Sequence, residues 1–257
     1  MTRKQIRIIF AALVLMLAPT TVRAQYDVET TVRADLVSKY MWRGLEKGGI
    51  SLQPSAKVSW MGAYFSFFGN TGFERDDPEE LDLTLGYKAP FGLNVGVTDY
   101  WETGITQYDL YFQYKKEETA HRLEANLGYS CKYFSLQGYC IFWGNDRKRN
   151  DNKQAYSTYI ELTVPFELGG LDWQIQGGFT PMESGAHQKV FDEKSEDYGM
   201  WYYTYANGAA CVNASLKASK ELSFRKFSVP IYAVISSNPY MKTAQILAGV
   251  AFKFDNF

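Results

Sequence analysis

Ser51-Leu52-Gln53-Pro54-Ser55-Ala56-Lys57-Val58-Ser59-Trp60 decides the fold class. Ser51, Gln53, Ser55, Lys57 and Ser59 occupy one face, and Leu52, Ala56, Val58 and Trp60 the other, with Pro54 the misfit. Successive side chains of a strand point to opposite faces, so this stretch is a strand wet on one side and apolar on the other. Upstream, Glu29, Thr31, Arg33 and Asp35 oppose Val28, Val32, Ala34 and Leu36. Downstream, Asp82, Thr84 and Gly86 oppose Leu81, Leu83, Leu85 and Tyr87, while Arg122, Glu124 and Asn126 oppose Leu123, Ala125, Leu127 and Tyr129. Asp172, Gln174 and Gln176 oppose Trp173, Ile175 and Phe179. No stretch after residue 24 carries a capped helical period, so the chain is all-β.

Composition agrees. Among 257 residues, 27 Lys+Arg balance 28 Asp+Glu, which excludes the basic footprint of a nucleic-acid binder. A mean hydropathy of −0.29 excludes a bundle of membrane helices. Aromatics at 16% and 21 Gly suit many short strands and turns. The length fits one domain.

Arg3, Lys4 and Arg7 precede an unbroken apolar run from Ile8 to Ala18, then Pro19 and Val22-Arg23-Ala24. This is the pattern of a secretory signal cleaved after Ala24, leaving a single domain over 25–257. Its removal takes Arg3, Lys4, Arg7 and Arg23 and no acid, so a chain at −1 becomes one at −5.

A soluble sandwich also alternates, and three features favour a membrane barrel. Segments run about 10 residues, the length of a tilted transmembrane strand. Tyr26, Tyr40, Trp42, Trp60, Tyr87, Trp101, Trp143 and Phe166 sit at segment ends, where interface girdles belong. Tight connections at 60–62, 88–92 and 167–170 alternate with long charged ones at 71–80, 144–154 and 181–200. Periodicity marks thirteen segments, near 26–41, 50–60, 62–70, 80–88, 92–101, 107–115, 121–131, 134–143, 155–165, 171–180, 201–218, 227–236 and 243–254. Bacterial single-chain barrels have even strand numbers. Merging 92–101 with 107–115 into one long element restores parity and puts every long loop outside and both termini in the periplasm. The expectation is a closed, antiparallel, up-and-down transmembrane β-barrel of twelve strands, with fourteen as the alternative.

Ser38-Lys39-Tyr40-Met41-Trp42-Arg43-Gly44, then Ser51-Leu52-Gln53-Pro54-Ser55 and Gly62-Ala63-Tyr64, resembles the opening of a group of uncharacterised outer-membrane barrel proteins of Gram-negative bacteria, particularly of Bacteroidetes. Residues 81–101 and 155–166 are similar to later strands of that group. The resemblance implies an outer-membrane location and a barrel fold; it implies no catalytic residue. Within that frame Tyr40, Trp42, Arg43 and Gly44 form a first-hairpin motif, whose plain interpretation is a girdle Trp beside a turn Gly. Phe257 is a terminal aromatic of the kind outer-membrane assembly machinery recognises, although Lys253 and Asp255 interrupt the alternation before it.

The polar face carries Arg33, Asp35, Lys57, Asp82, Arg122, Glu124, Glu161, Asp172 and Lys217, which are the candidate lumen-lining residues. Both signs occur, so they do not form a one-sign filter. Either they line a narrow passage for small polar solutes, or they fill and plug the lumen of a scaffold that binds a partner through its loops. A lipid-modifying enzyme would need a histidine base, and only His121 and His187 exist, neither in a hydrolase motif. No cofactor, nucleic-acid partner or metal site is expected; the Asp146, Asp151 and Asn152 cluster is diluted by Arg147, Lys148 and Arg149. Membrane lipid is the expected surrounding. Cys131, Cys140 and Cys211 are odd in number and expected to be free and buried.

Overall fold

The computed structural model describes residues 28–74, 77–104, 109–116, 118–188 and 201–256. The segments expected at 1–24 and the terminal Phe257 lie outside the described residues. In chain order the strands are β1 (Val28–Val37), β2 (Tyr40–Trp42), β3 (Leu45–Gly48), β4 (Ser51–Trp60), β5 (Ala63–Gly72), β6 (Glu80–Lys88), β7 (Leu93–Glu102) and β8 (His121–Ser130). They continue as β9 (Ser135–Gly144), β10 (Thr158–Leu168), β11 (Leu171–Thr180), β12 (Ala186–Gln188), β13 (Trp201–Tyr203), β14 (Ala210–Ser223), β15 (Ser228–Asn238) and β16 (Thr243–Asp255). Twelve of them close an antiparallel barrel in the order β1-β16-β15-β14-β11-β10-β9-β8-β7-β6-β5-β4. The remaining four form two small hairpins, β2-β3 and β12-β13. Closure runs from Thr31↔Asp255 to Val37↔Gly249, so no edge strand is left unpaired.

The strand number is twelve, not fourteen, but for a different reason from the merged element. β7 ends at Glu102 and Gly104 turns the chain at φ 78°. Residues 109–116 form no strand. Leu110, Phe112 and Tyr114 alternate as a strand would, and all three are exposed. This segment instead lies against the outer wall, where the Tyr111 carbonyl meets His121 Nε2 at 2.5 Å. Alternation alone therefore misread a loop that has no neighbouring strand to pair with. The segment expected at 201–218 is likewise two elements, β13 and β14, separated by the buried Thr204-Tyr205-Ala206.

At one end the connections are tight. Met61 and Gly62 (φ 50° and 88°) and Gly169 and Gly170 (φ 64° and 73°) make two-residue turns with both positions left-handed. That geometry matches the twist of the flanking strands. Long connections gather at the other end, except the short 239–242 link between β15 and β16. The outward face is apolar around the ring: Leu85 is 68% exposed, Leu127 59%, Ile175 51% and Ile246 71%. So continuous an exposed apolar belt is compatible with lipid and not with water. Trp60, Tyr87 and Phe166 stand on that face toward the tight-turn end.

Candidate functional site: a hairpin inside the barrel

Between β1 and β4 the chain folds inward. Arg43 (φ 50°) and Gly44 (φ 82°) form the tip of the β2-β3 hairpin. A Cβ on Gly44 would lie 2.1 Å from the Val212 carbonyl oxygen, so the tip is seated against the start of β14, across the lumen. Tyr40 and Trp42 are thus lumen residues and not members of a membrane girdle, a correction to the plain interpretation of the motif. The hydroxyl of Tyr40 donates to Glu80, and Trp42 stacks on Tyr205 at 5.6 Å between ring centroids. Trp101, also expected in the girdle, is buried beneath Tyr111.

Arg43 is the anchor. Its two terminal nitrogens donate to the two oxygens of Glu124 at 2.6 and 2.7 Å, and one also donates to the Tyr205 hydroxyl. Its guanidinium carbon lies 4.1 Å from the ring centre of Tyr139 and 4.7 Å from those of Tyr159 and Trp42. Planar bidentate pairing and aromatic stacking are contacts a lysine could not reproduce together. Tyr100 donates to Glu124 at 3.0 Å. Behind it, Lys47 of β3 reaches Glu102 at 2.5 Å and Glu80 at 3.6 Å, and Arg122 donates to Glu102 at 2.9 Å. Glu80 Oε1, Asp82 Oδ1 and Arg122 Nε remain buried without a hydrogen-bond partner among the described residues.

Of the nine polar-face candidates, Asp82, Arg122 and Glu124 fall in this cluster on β6 and β8. Glu161 on β10 accepts from Tyr159 at 3.0 Å. The opposite wall holds the others. Arg33 and Asp35 pair at 2.5 Å, and Tyr232 donates to Asp35 at 2.9 Å. Lys57 lies 4.3 Å from the ring centre of Tyr64, and Lys217 4.5 Å from that of Tyr232. Asp172 is exposed at the tight-turn mouth. The structure thus sorts charges that the sequence presents as a mixture: Glu80, Asp82, Glu102 and Glu124 gather on β6–β8, Arg33 and Asp35 pair on β1, and Lys57 and Lys217 rest on tyrosine rings of β5 and β15. Lys47, Glu80, Glu102, Tyr100 and Tyr205 were not anticipated. Glu80 shares the parity of Asp82 and was legible; Lys47 comes from the short β2-β3 hairpin and Tyr205 from a loop, where no barrel period points inward.

Beside the hairpin a cavity of about 210 Å³ remains open along the β14–β15–β16–β1–β4 side. Lys39, Gln53, Gln176, Asn213, Ser215 and Ser236 line it with Val37, Met41, Val234 and Leu247.

His121 does not form a catalytic pair with a hydroxyl nucleophile. Its Nδ1 faces Asp99 at 2.8 Å and its Nε2 the Tyr111 carbonyl, with Tyr114 stacked on the ring at 4.0 Å. The His187 backbone pairs with Tyr202, and its side chain is outside the described residues. No metal-holding group of three or more His, Cys, Asp or Glu occurs among the described residues. All three cysteines are free. None is buried, contrary to expectation: Cys131 and Cys140 are half-buried and Cys211 is exposed, since strand parity turns them to the lipid side or the rim.

No protein-family profile matches the chain, and no curated protein matches it significantly. Solved structures do align with it. The NanC porin aligns at 10% identity and TM-score 0.43, over 88% of this chain and 98% of that one. The CymD monoaromatic hydrocarbon channel aligns at 10% and 0.42, over 95% and 93%. The Pseudomonas putida toluene transporter TodX aligns at 9% and 0.37, over 94% and 91%. At these values no residue or cargo transfers to this chain.

Proposed function

We propose that this protein is an outer-membrane channel of a Gram-negative bacterium, a narrow porin-like passage for small polar solutes, constricted by its own first hairpin and without enzymatic activity. In this assignment the 1–24 signal is removed, the long loops face outward and both termini face the periplasm. The observation that carries it is the cavity left beside the docked hairpin. The hairpin covers the acidic wall and leaves polar amides and hydroxyls facing open space on the other side. Twelve strands enclose more room than the filled eight-stranded barrels and less than the sixteen-stranded porins, and the hairpin narrows that room further.

Single-channel recording of the refolded 25–257 chain tests this. Discrete conductance steps, altered by Asp35→Ala or Arg122→Ala, are the expected result. A folded barrel that gives no steps overturns it. A second interpretation, a plugged scaffold that binds a partner through its loops, is favoured by the dense ion pairing around Arg43. It predicts silence in the wild type and steps only when the hairpin is released.

A further inference from the structure

We infer that the passage selects small organic anions, with Lys217 and Lys39 as its specificity-determining residues. This rests on the channel assignment above. The lining of the open cavity includes two cations, Lys39 and Arg43, and no carboxylate. Arg43 is already satisfied by Glu124, and Lys39 is bridged to Glu46 at 2.6 Å with both side chains about a third exposed, a loose pair that an incoming anion can share. Lys217 stands one inward position along β14 from Ser215, a residue of the lining. Its ammonium rests on the ring of Tyr232, itself a lining residue, and has no carboxylate partner among the described residues. Asp35, whose charge reaches Lys217 through space, is already engaged by Arg33 and Tyr232.

The other buried lumen acids are each engaged by the hairpin or by the wall. Glu80, Glu102 and Glu124 are held by Lys47, Arg122 and Arg43, and Asp82 is buried with them behind the hairpin. Glu161 borders the lining but is held by Tyr159 and Gln176. A solute in the cavity therefore meets Lys39 in the lining and, just beyond Ser215 and Tyr232, the Lys217 ammonium, which makes no ion pair among the described residues and feels Asp35 only through space. The remaining surface is split between hydroxyl and amide groups (Ser215, Ser236, Gln176, Asn213) and aliphatic ones (Val37, Met41, Val234, Leu247). That chemistry suits a short carboxylate with an apolar stem.

The test is reversal potential in planar bilayers under a potassium chloride gradient, then with potassium butyrate replacing chloride and tetraethylammonium replacing potassium. Expected are a chloride-to-potassium permeability ratio above one, measurable butyrate current and negligible tetraethylammonium current. Lys217→Glu should bring the ratio below one, Lys217→Gln should place it between, and Lys39→Glu should lower it less. Lys220→Glu, a change on the outward face of the same strand, should leave it unchanged. Clear steps with cation preference, or a ratio indifferent to both Lys217 variants, overturn anion selection while the channel stands. Absence of steps from a folded barrel overturns the channel assignment and anion selection together.

Discussion

The two walls of the lumen use the same polar residue types to opposite ends. On β6, β7 and β8, acids are crowded and buried, and the hairpin supplies Arg43 and Lys47 as their counter-charges. On β14, β15 and β1, Arg33 and Asp35 neutralise each other, Lys217 rests on Tyr232, serines and amides make up much of the rest, and a cavity persists. The difference teaches that a concentration of like charge inside a barrel has to be covered by something of opposite sign. A wall of serines, amides and a few lysines can face water by itself.

The comparison breaks most severely at Glu124. Glu124→Ala leaves the Arg43 guanidinium buried without its partner, a change of about 3–5 kcal/mol for pairs of this kind. The hairpin should leave the acidic wall, raising unitary conductance severalfold and exposing residues 38–50 to protease; unchanged conductance and protection would show that the two walls do not differ as described. Next comes Gly44→Val. The new side chain must collide with the Val212 carbonyl at a backbone angle it also disfavours. Partial undocking is expected, seen as flickering between two current levels, whereas a single wild-type level would mean that the tip is not seated against β14.

Ser215→Trp sharpens the comparison from the open side. An indole there fills the cavity without touching the ion pairs of the acidic wall, so conductance should fall while protease resistance of the hairpin stays. The smallest effect belongs to the loop above the barrel. Burial pushes the Asp146 carboxyl above its ordinary range, against the opposing bonds from Ser157 and Gln154. The folded loop therefore takes up this proton at a higher pH than the unfolded chain does. Its stability should rise as pH falls through the raised value toward about 3.9 and level off below it. Hydrogen exchange of the 145–157 loop measures this, and Asp146→Asn should abolish the dependence.

Much of this protein was legible in its sequence. Alternation at 51–60 (Pro54 aside), 81–88, 122–129 and 172–176 determined the strands and which side chains face inward, because a strand has only two faces. Turn residues such as Met61-Gly62 and Gly169-Gly170 determined where the chain reverses. Alternation failed where it met no partner strand, over the described residues 109–115, and it was silent about loops. The Tyr40-Met41-Trp42-Arg43-Gly44 motif was visible as a motif, but its destination was not. Whether a loop stays outside or folds into a barrel depends on what lies across the lumen, here Glu124, Glu80, Glu102 and Tyr205, which are distant in the chain and adjacent only after closure. Local periodicity is set by neighbours in sequence, so the sequence by itself determined the barrel wall. Charge compensation is set by neighbours in space, so only the tertiary structure decided that one wall is covered and the other left open.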